Sequence, residues 1–459
     1  MSSTIAAIST APAAAGLGVI RISGPDALVI AEAVFRPADR KKRLSVLPGY
    51  TALYGHVYDR EGDVDECVAL VFRGPRSYTG EDVVELSCHG GLYLTRRVLR
   101  AVLAAGASPA GPGEFTRRAF ISGKIDLTQA EAVMDLIAAD SRVAARTALA
   151  AREGILYKRL ETVREELVGA AAALSAFVDY PDDDIPELEG GELAAALRRA
   201  EGILTVLLST FEAGRVAREG VDTVIAGSPN VGKSTLMNLL AGCERSIVTS
   251  AAGTTRDVVE ETVRLGDVLL RLSDTAGIRR ADNEAEKIGI DKARRRMSSA
   301  ALLLCVFDGS RPLDDSDREV AEEAARQRGE CPSIALINKT DKPLKIDEQY
   351  IIQHFQQVIH ISALTGGGRD ELEQAVRLVT GIERLEGQEI VLSTERQRVC
   401  AQRCLTAVQE ALSAWEAGIT SDAVGICVDD AISALLELTG ERATEAVVEE
   451  IFARFCVGK

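Results

Sequence analysis

The sequence predicts a multidomain chain of mixed α+β and α/β class: an N-terminal α+β domain, a helical domain, and an α/β domain inserted into the helical one. Three observations predict it. The 459 residues exceed what one hydrophobic core usually supports, so about three domains are expected. At about Thr128 the texture changes from short apolar runs broken by glycine and proline to long alanine- and leucine-rich stretches. Between residues 227 and 363 a series of short polar motifs follows apolar, strand-like runs.

In the first domain, residues 1–127, the runs Gly18-Val19-Ile20-Arg21-Ile22-Ser23-Gly24, Cys67-Val68-Ala69-Leu70-Val71-Phe72 and Asp82-Val83-Val84-Glu85-Leu86 read as strands, with a helix over residues 92–104. Residues 128–219 form the first part of the helical domain. Val133, Leu136 and Ile137 recur at helical spacing, a second amphipathic helix covers residues 155–177, an acidic turn follows Tyr180, and helix resumes over 192–219. Gly220 stops it. Residues 220–380 form the inserted α/β domain, and helices at 393–415 and 429–455 give the second helical part, residues 381–459, ending in Cys456-Val457-Gly458-Lys459. Both ends of the insert are expected to lie close together.

A net charge of -16 weighs against nonspecific nucleic-acid binding, which rests on phosphate neutralisation by Lys and Arg. It leaves room for a local basic patch, at Arg96, Arg97 and Arg100, at Arg117-Arg118, or at residues 292–296. No apolar run approaches the roughly 18 residues that span a bilayer, and the first residues lack signal-peptide character, so a cytoplasmic protein without membrane contact is expected. The nine cysteines show no paired CxxC spacing and only four histidines accompany them, which argues for reduced thiols and against structural zinc.

The motifs carry the chemistry. The apolar run 221–226 leads into Gly227-Ser-Pro-Asn-Val-Gly-Lys-Ser, the strand-loop-helix context of a phosphate loop. Asn230, Val231, Gly232, Lys233, Ser234 and Thr235 are therefore expected to bind a nucleotide. Loop amides and the helix N-terminus hold the β-phosphate, Lys233 reaches the β- and γ-oxygens, and Ser234 ligates Mg²⁺. The segment Thr249, Ser250, Ala251, Ala252, Gly253, Thr254 and Thr255 is expected to fold over the γ-phosphate, with Thr255 as the second Mg²⁺ hydroxyl. Asp274, Thr275, Ala276 and Gly277 follow another strand; Asp274 holds the metal's hydration shell and the Gly277 amide senses the γ-phosphate. Asn338-Lys339-Thr340-Asp341 selects guanine, because the Asp341 carboxylate accepts from N1 and the exocyclic amine, a donor pair that adenine lacks. Ser362 and Ala363 complete the purine pocket. The expected ligand is GTP. Ile278 stands where Ras-like proteins place a water-orienting glutamine, so the catalytic group must come from elsewhere; Asp282, Glu284 and Glu286 are the nearby acids, and neither Arg256 nor Arg279 is assigned as an arginine finger.

With these residues in view, the chain resembles the tRNA-modification GTPase family MnmE, also called TrmE. The resemblance spans nearly all of it: Thr4-Ile-Ala-Ala-Ile with Gly18-Val-Ile-Arg-Ile-Ser-Gly, Tyr78-Thr-Gly-Glu-Asp-Val-Val-Glu-Leu, Pro112-Gly-Glu-Phe-Thr-Arg-Arg-Ala-Phe with Gly123-Lys-Ile-Asp-Leu, the inserted switch domain, and the Cys456-Val-Gly-Lys459 tail. It implies an N-terminal folate-binding and dimerisation domain, with Arg21, Glu85, Lys124 and Lys459 as contacts of a 5-formyl- or methylene-tetrahydrofolate. A carboxylate suits a pterin edge, and Arg or Lys suits a glutamyl tail. It implies K⁺ in the role of the arginine finger, held by Asn230, Thr249, Ala251 and Thr254, and Glu286 as the water-orienting acid. It further implies a homodimer and a flavoprotein partner, MnmG or GidA, in a heterotetramer or larger assembly that modifies carbon 5 of the wobble uridine of certain tRNAs. Cys456 is a nucleophile or a packing residue.

One departure stands out: Pro12-Ala-Ala-Ala-Gly16-Leu-Gly18 replaces the family's Pro-Gly-x-Gly-Gly turn, and Ala13 and Ala15 do not freely adopt positive φ. The competing reading is a ribosome-assembly or translation-associated GTPase switch. It predicts an RNA-binding module or a second switch domain, and a basic surface, whereas the sequence offers a single switch domain and a negative charge.

Overall fold

The computed structural model describes residues 3–179, 190–242, 261–274, 300–327 and 331–459. The chain forms two compact units, one of residues 1–134 with 433–459 and the other of residues 135–432.

The first unit is built on a seven-stranded sheet of order β3-β4-β5-β6-β2-β1-β7. Its strands are β1 (Ile5–Ile8), β2 (Leu17–Ser23), β3 (Phe35–Pro37), β4 (Thr51–Asp59), β5 (Gly62–Phe72), β6 (Val83–His89) and β7 (Ser108–Pro109). All neighbours are antiparallel except β1 and β7. Alternation decides the faces. In β4, Leu53, Gly55 and Val57 are buried while Ala52 and Tyr54 are exposed, the pattern of a sheet covered on one side. The helices Ala27–Val34 and Leu92–Ala104 supply the cover, the latter through Thr95, Val98, Ala101 and Val102. Gly18 makes this packing possible, since a Cβ there would lie 2.2 Å from the Thr95 methyl.

The expected single helix over 429–455 is two, Ser421–Thr439 and Glu445–Ala453. Gly440 separates them at φ +95°, where a Cβ would meet Leu127 Cβ at 2.6 Å. Only glycine takes that conformation in so close an approach. The second helix and the turn after it then pack Val448, Phe452 and Phe455 against Leu127 and Ala130. Val457 bridges Pro112, which brings the tail alongside the sheet.

The second unit contains a six-stranded sheet of order β13-β12-β11-β8-β10-β9, from β8 (Val221–Ala226), β9 (Glu261–Leu265), β10 (Val268–Asp274), β11 (Leu302–Asp308), β12 (Ser333–Asn338) and β13 (Gln357–His360). All pairs are parallel except β9 with β10. Core on both faces explains why β11 is buried at every position. The sheet's first strand, β8, has β10 on one side and β11 on the other, so the crevice at its carboxyl end is a topological switch point, where open α/β sheets bind ligands.

The helices of this unit follow their apolar spacing. In Ile155–Asp179, Leu156, Leu160, Val163, Leu167, Ala170 and Leu174 are buried, three and four residues apart. The expected helix over 192–219 is broken at Thr210 into Gly190–Ser209 and Phe211–Glu219. The Thr210 hydroxyl also accepts from the Leu392 amide at 3.1 Å, so the segment leaving the sheet runs beside the one entering it. The helix Glu395–Glu416 then begins with a reciprocal capping box between Thr394 and Gln397. Among the described residues no helix is long and apolar enough to cross a membrane.

Candidate functional site

The phosphate loop occupies the switch point. Gly227 has φ +152°, and a Cβ would lie 2.4 Å from the Val306 carbonyl on β11. Asn230 has φ +64° and Gly232 φ +105°, which turns the chain back into the helix Lys233–Ala241. That helix presents its N-terminal amides to the loop, an anion site by geometry and dipole. Ser234 and Thr235 are exposed on its first turn. The Lys233 ammonium donates to the carbonyls of Gly227 at 2.7 Å and Ser228 at 2.8 Å, so it lies across the loop it is expected to serve.

Asn338 ties the loop to the base-binding segments. Its amide donates to the Val231 carbonyl at 2.8 Å and its oxygen accepts from the Ala363 amide at 3.0 Å. Lys339, itself at φ +65°, donates to the Asn230 carbonyl at 2.9 Å and to Asp308 at 2.6 Å. Burial pushes the Asp308 carboxyl up, but Lys339 and the Ser310 hydroxyl and amide outweigh it and hold it below the usual carboxylate range. Asp341 is exposed, and its carboxylate accepts from the Ser362 hydroxyl at 2.7 Å. Loop, Asn338, Lys339, Asp341, Ser362 and Ala363 therefore form one assembly. Asp308 and the Ser362 hydroxyl were not anticipated from sequence; an acid closing the apolar strand 302–308 was the available signal.

Asp274 closes β10, its backbone in register with Ile225 at the end of β8. Thr249, Ser250, Ala251, Ala252, Gly253, Thr254, Thr255, Thr275, Ala276, Gly277 and Glu286 lie outside the described residues. The donors that remain for a cation, the Ser234 hydroxyl and Asn230, are oxygen donors and suit hard ions such as Mg²⁺ and K⁺. Among the described residues no cluster of three or more His, Cys, Asp or Glu could hold a metal.

A second constellation lies on the face of the first unit's sheet opposite the two covering helices, Ala27–Val34 and Leu92–Ala104. Arg21 on β2 and Glu85 on β6 are direct cross-strand partners, joined by an Arg21 Nε to Glu85 bond of 2.8 Å. The Arg21 guanidinium lies 5.2 Å from the centre of the Tyr78 ring and 5.5 Å from that of Phe115. The tail closes over it: the Gly458 carbonyl accepts from Arg21 at 3.5 Å and from the Ser9 hydroxyl at 3.0 Å, while Phe115 N–H donates to a backbone oxygen of Lys459 at 3.2 Å. Burial, with the nearby Arg21, lowers the Lys459 ammonium from its ordinary value, against the opposing pull of Glu85 and Cys456. Lys124 donates to the Ser77 carbonyl, next to Tyr78. Cys456 is exposed. The structure thus brings Arg21, Glu85 and Lys459 together, with Lys124 bound to the loop that carries Tyr78. The Tyr78 and Phe115 rings were not assigned from sequence, although both lie in the segments that carry the family resemblance.

The alanines of the first turn create no strain. Among the described residues the non-glycines with positive φ are Tyr50, Asn230 and Lys339, so Ala13 and Ala15 occupy conformations open to any residue. The steric demand falls on Gly18 and on Gly90, where a Cβ would lie 2.5 Å from the Ala15 carbonyl.

A parallel sheet with a phosphate loop at its switch point, coupled through Asn338 to an Asn-Lys-x-Asp segment, defines a P-loop guanine-nucleotide-binding protein. Two family profiles match the chain, the MnmE helical domain over residues 127–456 and the GTP-binding protein TrmE N-terminus over residues 4–124. Over 465 residues the chain is 42% identical to the tRNA modification GTPase MnmE of Geobacter sulfurreducens, covering 99% of each. It is 42% identical over 463 residues to that of Symbiobacterium thermophilum and 39% over 464 to that of Thermoanaerobacter pseudethanolicus, again covering 99% of each chain. The chain belongs to the MnmE family of tRNA modification GTPases.

Proposed function

We propose that this protein is a potassium-stimulated GTPase that, with a flavoprotein partner, modifies carbon 5 of the wobble uridine of certain tRNAs with a one-carbon unit from a tetrahydrofolate. The observation that carries the reading is the presence, in one chain of this family, of the Asn338-bridged nucleotide site and a separate guanidinium–carboxylate site at Arg21 and Glu85.

At the nucleotide site, Lys233 exchanges its two loop carbonyls for β- and γ-phosphate oxygens. Asp341, already oriented by the Ser362 hydroxyl, accepts the two guanine N–H donors. Asn230 and Ser234 contribute ligands for K⁺ and Mg²⁺, which would supply positive charge at the β–γ bridge as it becomes negative. Ile278 cannot orient a water, and Glu286 takes that role. At the other site, Glu85 faces the pterin edge and Arg21, Lys124 and Lys459 the folate carboxylates. The folate would supply the one-carbon unit. Assembly as a homodimer in the cytoplasm, joined by the flavoprotein, completes the proposal.

The test is nucleoside analysis of tRNA from cells lacking the protein, paired with hydrolysis rates of the purified protein in potassium and in sodium. Unmodified wobble uridines and faster turnover in potassium are expected. An unchanged uridine profile would refute the modification reading, and equal rates would refute the cation mechanism.

A further inference from the structure

Among the described basic groups that stand out in the sequence, Arg97, Arg117 and Arg118 are committed to ion pairs. Arg97 holds Asp59 at 2.7 Å and reaches Glu61 at 3.2 Å. Arg118 is bound to Glu81 and Glu114, and Arg117 lies 3.8 Å from Glu445. In a different run three of five basic side chains are uncommitted. Residues 36–58 hold five basic side chains, Arg36, Arg40, Lys41, Lys42 and Arg43, and one acid, Asp39. All five are exposed. Among the described residues no carboxylate pairs with Arg40, Lys41 or Lys42, and the contacts of Arg36 with Asp63 at 3.7 Å and Arg43 with Glu32 at 3.9 Å are long.

This segment is held in place. Ala38 N–H donates to the Tyr54 carbonyl at 3.0 Å, and Lys42 N–H to that of Asp39 at 3.0 Å. The Asp39 carboxylate turns back onto the chain and accepts from the Lys41 amide at 3.1 Å. Arg73 grips the far end through the carbonyls of Ser45 and Leu47, at 2.5 and 3.2 Å. Tyr50 and Tyr54, 65% and 51% exposed, follow the run, Tyr50 resting edge-on against Phe72. Basic groups on an ordered connector, with exposed aromatic side chains beside them, are the surface by which proteins hold a nucleic-acid backbone and stack its bases.

Its place in the sheet matters too. Arg21, Glu85, Leu70 and Ala52 are successive partners across β2, β6, β5 and β4, and the basic connector leaves β3, the next strand. Four strand spacings of ~4.8 Å put it roughly 19 Å from Arg21, the length of about six stacked nucleotides at ~3.4 Å each.

We propose that Arg40, Lys41 and Lys42, with Arg36 and Arg43 beside them, bind the phosphate backbone of the RNA substrate and deliver it along this sheet to the Arg21–Glu85 site. The proposal rests on the tRNA-modification reading. An overall charge of -16 then repels RNA elsewhere, so that this strip sets where it lands.

The test uses the full chain and a variant carrying Arg40→Gln, Lys41→Gln and Lys42→Gln together, titrated with tRNA by fluorescence anisotropy between about 0.05 and 0.2 M salt. Three lost phosphate contacts lower the steepness of log affinity against log salt by about 2 to 3, and weaken binding roughly hundredfold at about 0.1 M. GTP hydrolysis stays at the wild-type rate, which shows that the variant is folded. An unchanged affinity and salt slope would overturn the proposal. So would wild-type protein that binds no tRNA, or that binds phosphatidylglycerol vesicles through these residues while its tRNA affinity is indifferent to them. None of these results touches the wobble-uridine analysis, which judges the modification reading separately.

Discussion

Replacing Asn338 by alanine separates the two halves of the nucleotide site by removing the side chain that joins them. Asn338 is 3% exposed, and its two hydrogen bonds, to the Val231 carbonyl and from the Ala363 amide, satisfy backbone groups that have to hold their positions. Each bond contributes about 1 kcal/mol net, and each orphaned buried partner costs about 1 to 3 kcal/mol. A combined loss of about 3 kcal/mol is a reasonable centre, which is roughly a hundredfold in affinity at about 1.4 kcal/mol per decade. The assay is displacement of a fluorescent GDP analogue by stopped flow, with the loss expected in the dissociation rate because the preformed site is what weakens. Asn338→Asp keeps an acceptor for Ala363 but sets a carboxylate against the Val231 carbonyl, and it is expected to bind at least as weakly as alanine. If both variants bound GDP within about threefold of wild type, the bridge would not organise the site.

Two other predictions follow from ionisation. Burial and Arg21 depress Lys459 below the ordinary lysine value of 10.5. A depressed folded pKa means that the undocked tail binds more protons in that interval, so docking strengthens as pH rises through the folded pKa toward 10.5 and is weakest below it. A carboxylate ligand beside Lys459 reverses the depression, so calorimetry with a reduced folate, at pH values between the folded pKa and 10.5, is expected to show proton uptake that Lys459→Met abolishes. Proton release, or uptake that survives the substitution, would remove Lys459 from the pocket. The cysteines sort by burial: Cys305 and Cys404 are buried and their thiols pushed up to about 12, whereas Cys456 is exposed. Timed alkylation followed by mass spectrometry is expected to label Cys456 first and Cys305 only on unfolding. Comparable rates would show that the β11 strand opens readily.

Much of the nucleotide site was legible in the sequence because its chemistry is local. Gly227, Gly232 and Lys233 lie within one loop, and the reasons for those residue types, positive φ and a reach to phosphate, hold wherever the loop sits. The role of Asn338 was legible only as part of a motif. That it joins Val231 to Ala363 depends on the four parallel strands β8, β11, β12 and β13 lying side by side. The Arg21–Glu85 pair is similar: resemblance marked both residues, while the register of β2 with β6 makes them partners. The alanine-rich turn shows the reverse. From sequence, Ala13 and Ala15 looked strained, and the fold places the demand for glycine on Gly18 and Gly90 instead, where neighbouring atoms approach too closely for a Cβ.

The sequence by itself determined the family, the motifs from which a guanine preference is expected, and the apolar patterning, alternating in the strands of one sheet and continuous in the central strands of the other. These are properties of short segments, and segments keep them in any fold. Tertiary structure decided which carboxylate meets which cation. Arg97 and Arg118 became ion-pair partners while Arg40, Lys41 and Lys42 were left facing solvent. Pairing depends on distances across strands and helices far apart in the chain, and at a few ångströms those distances decide whether a charge is spent inside the protein or remains for a partner.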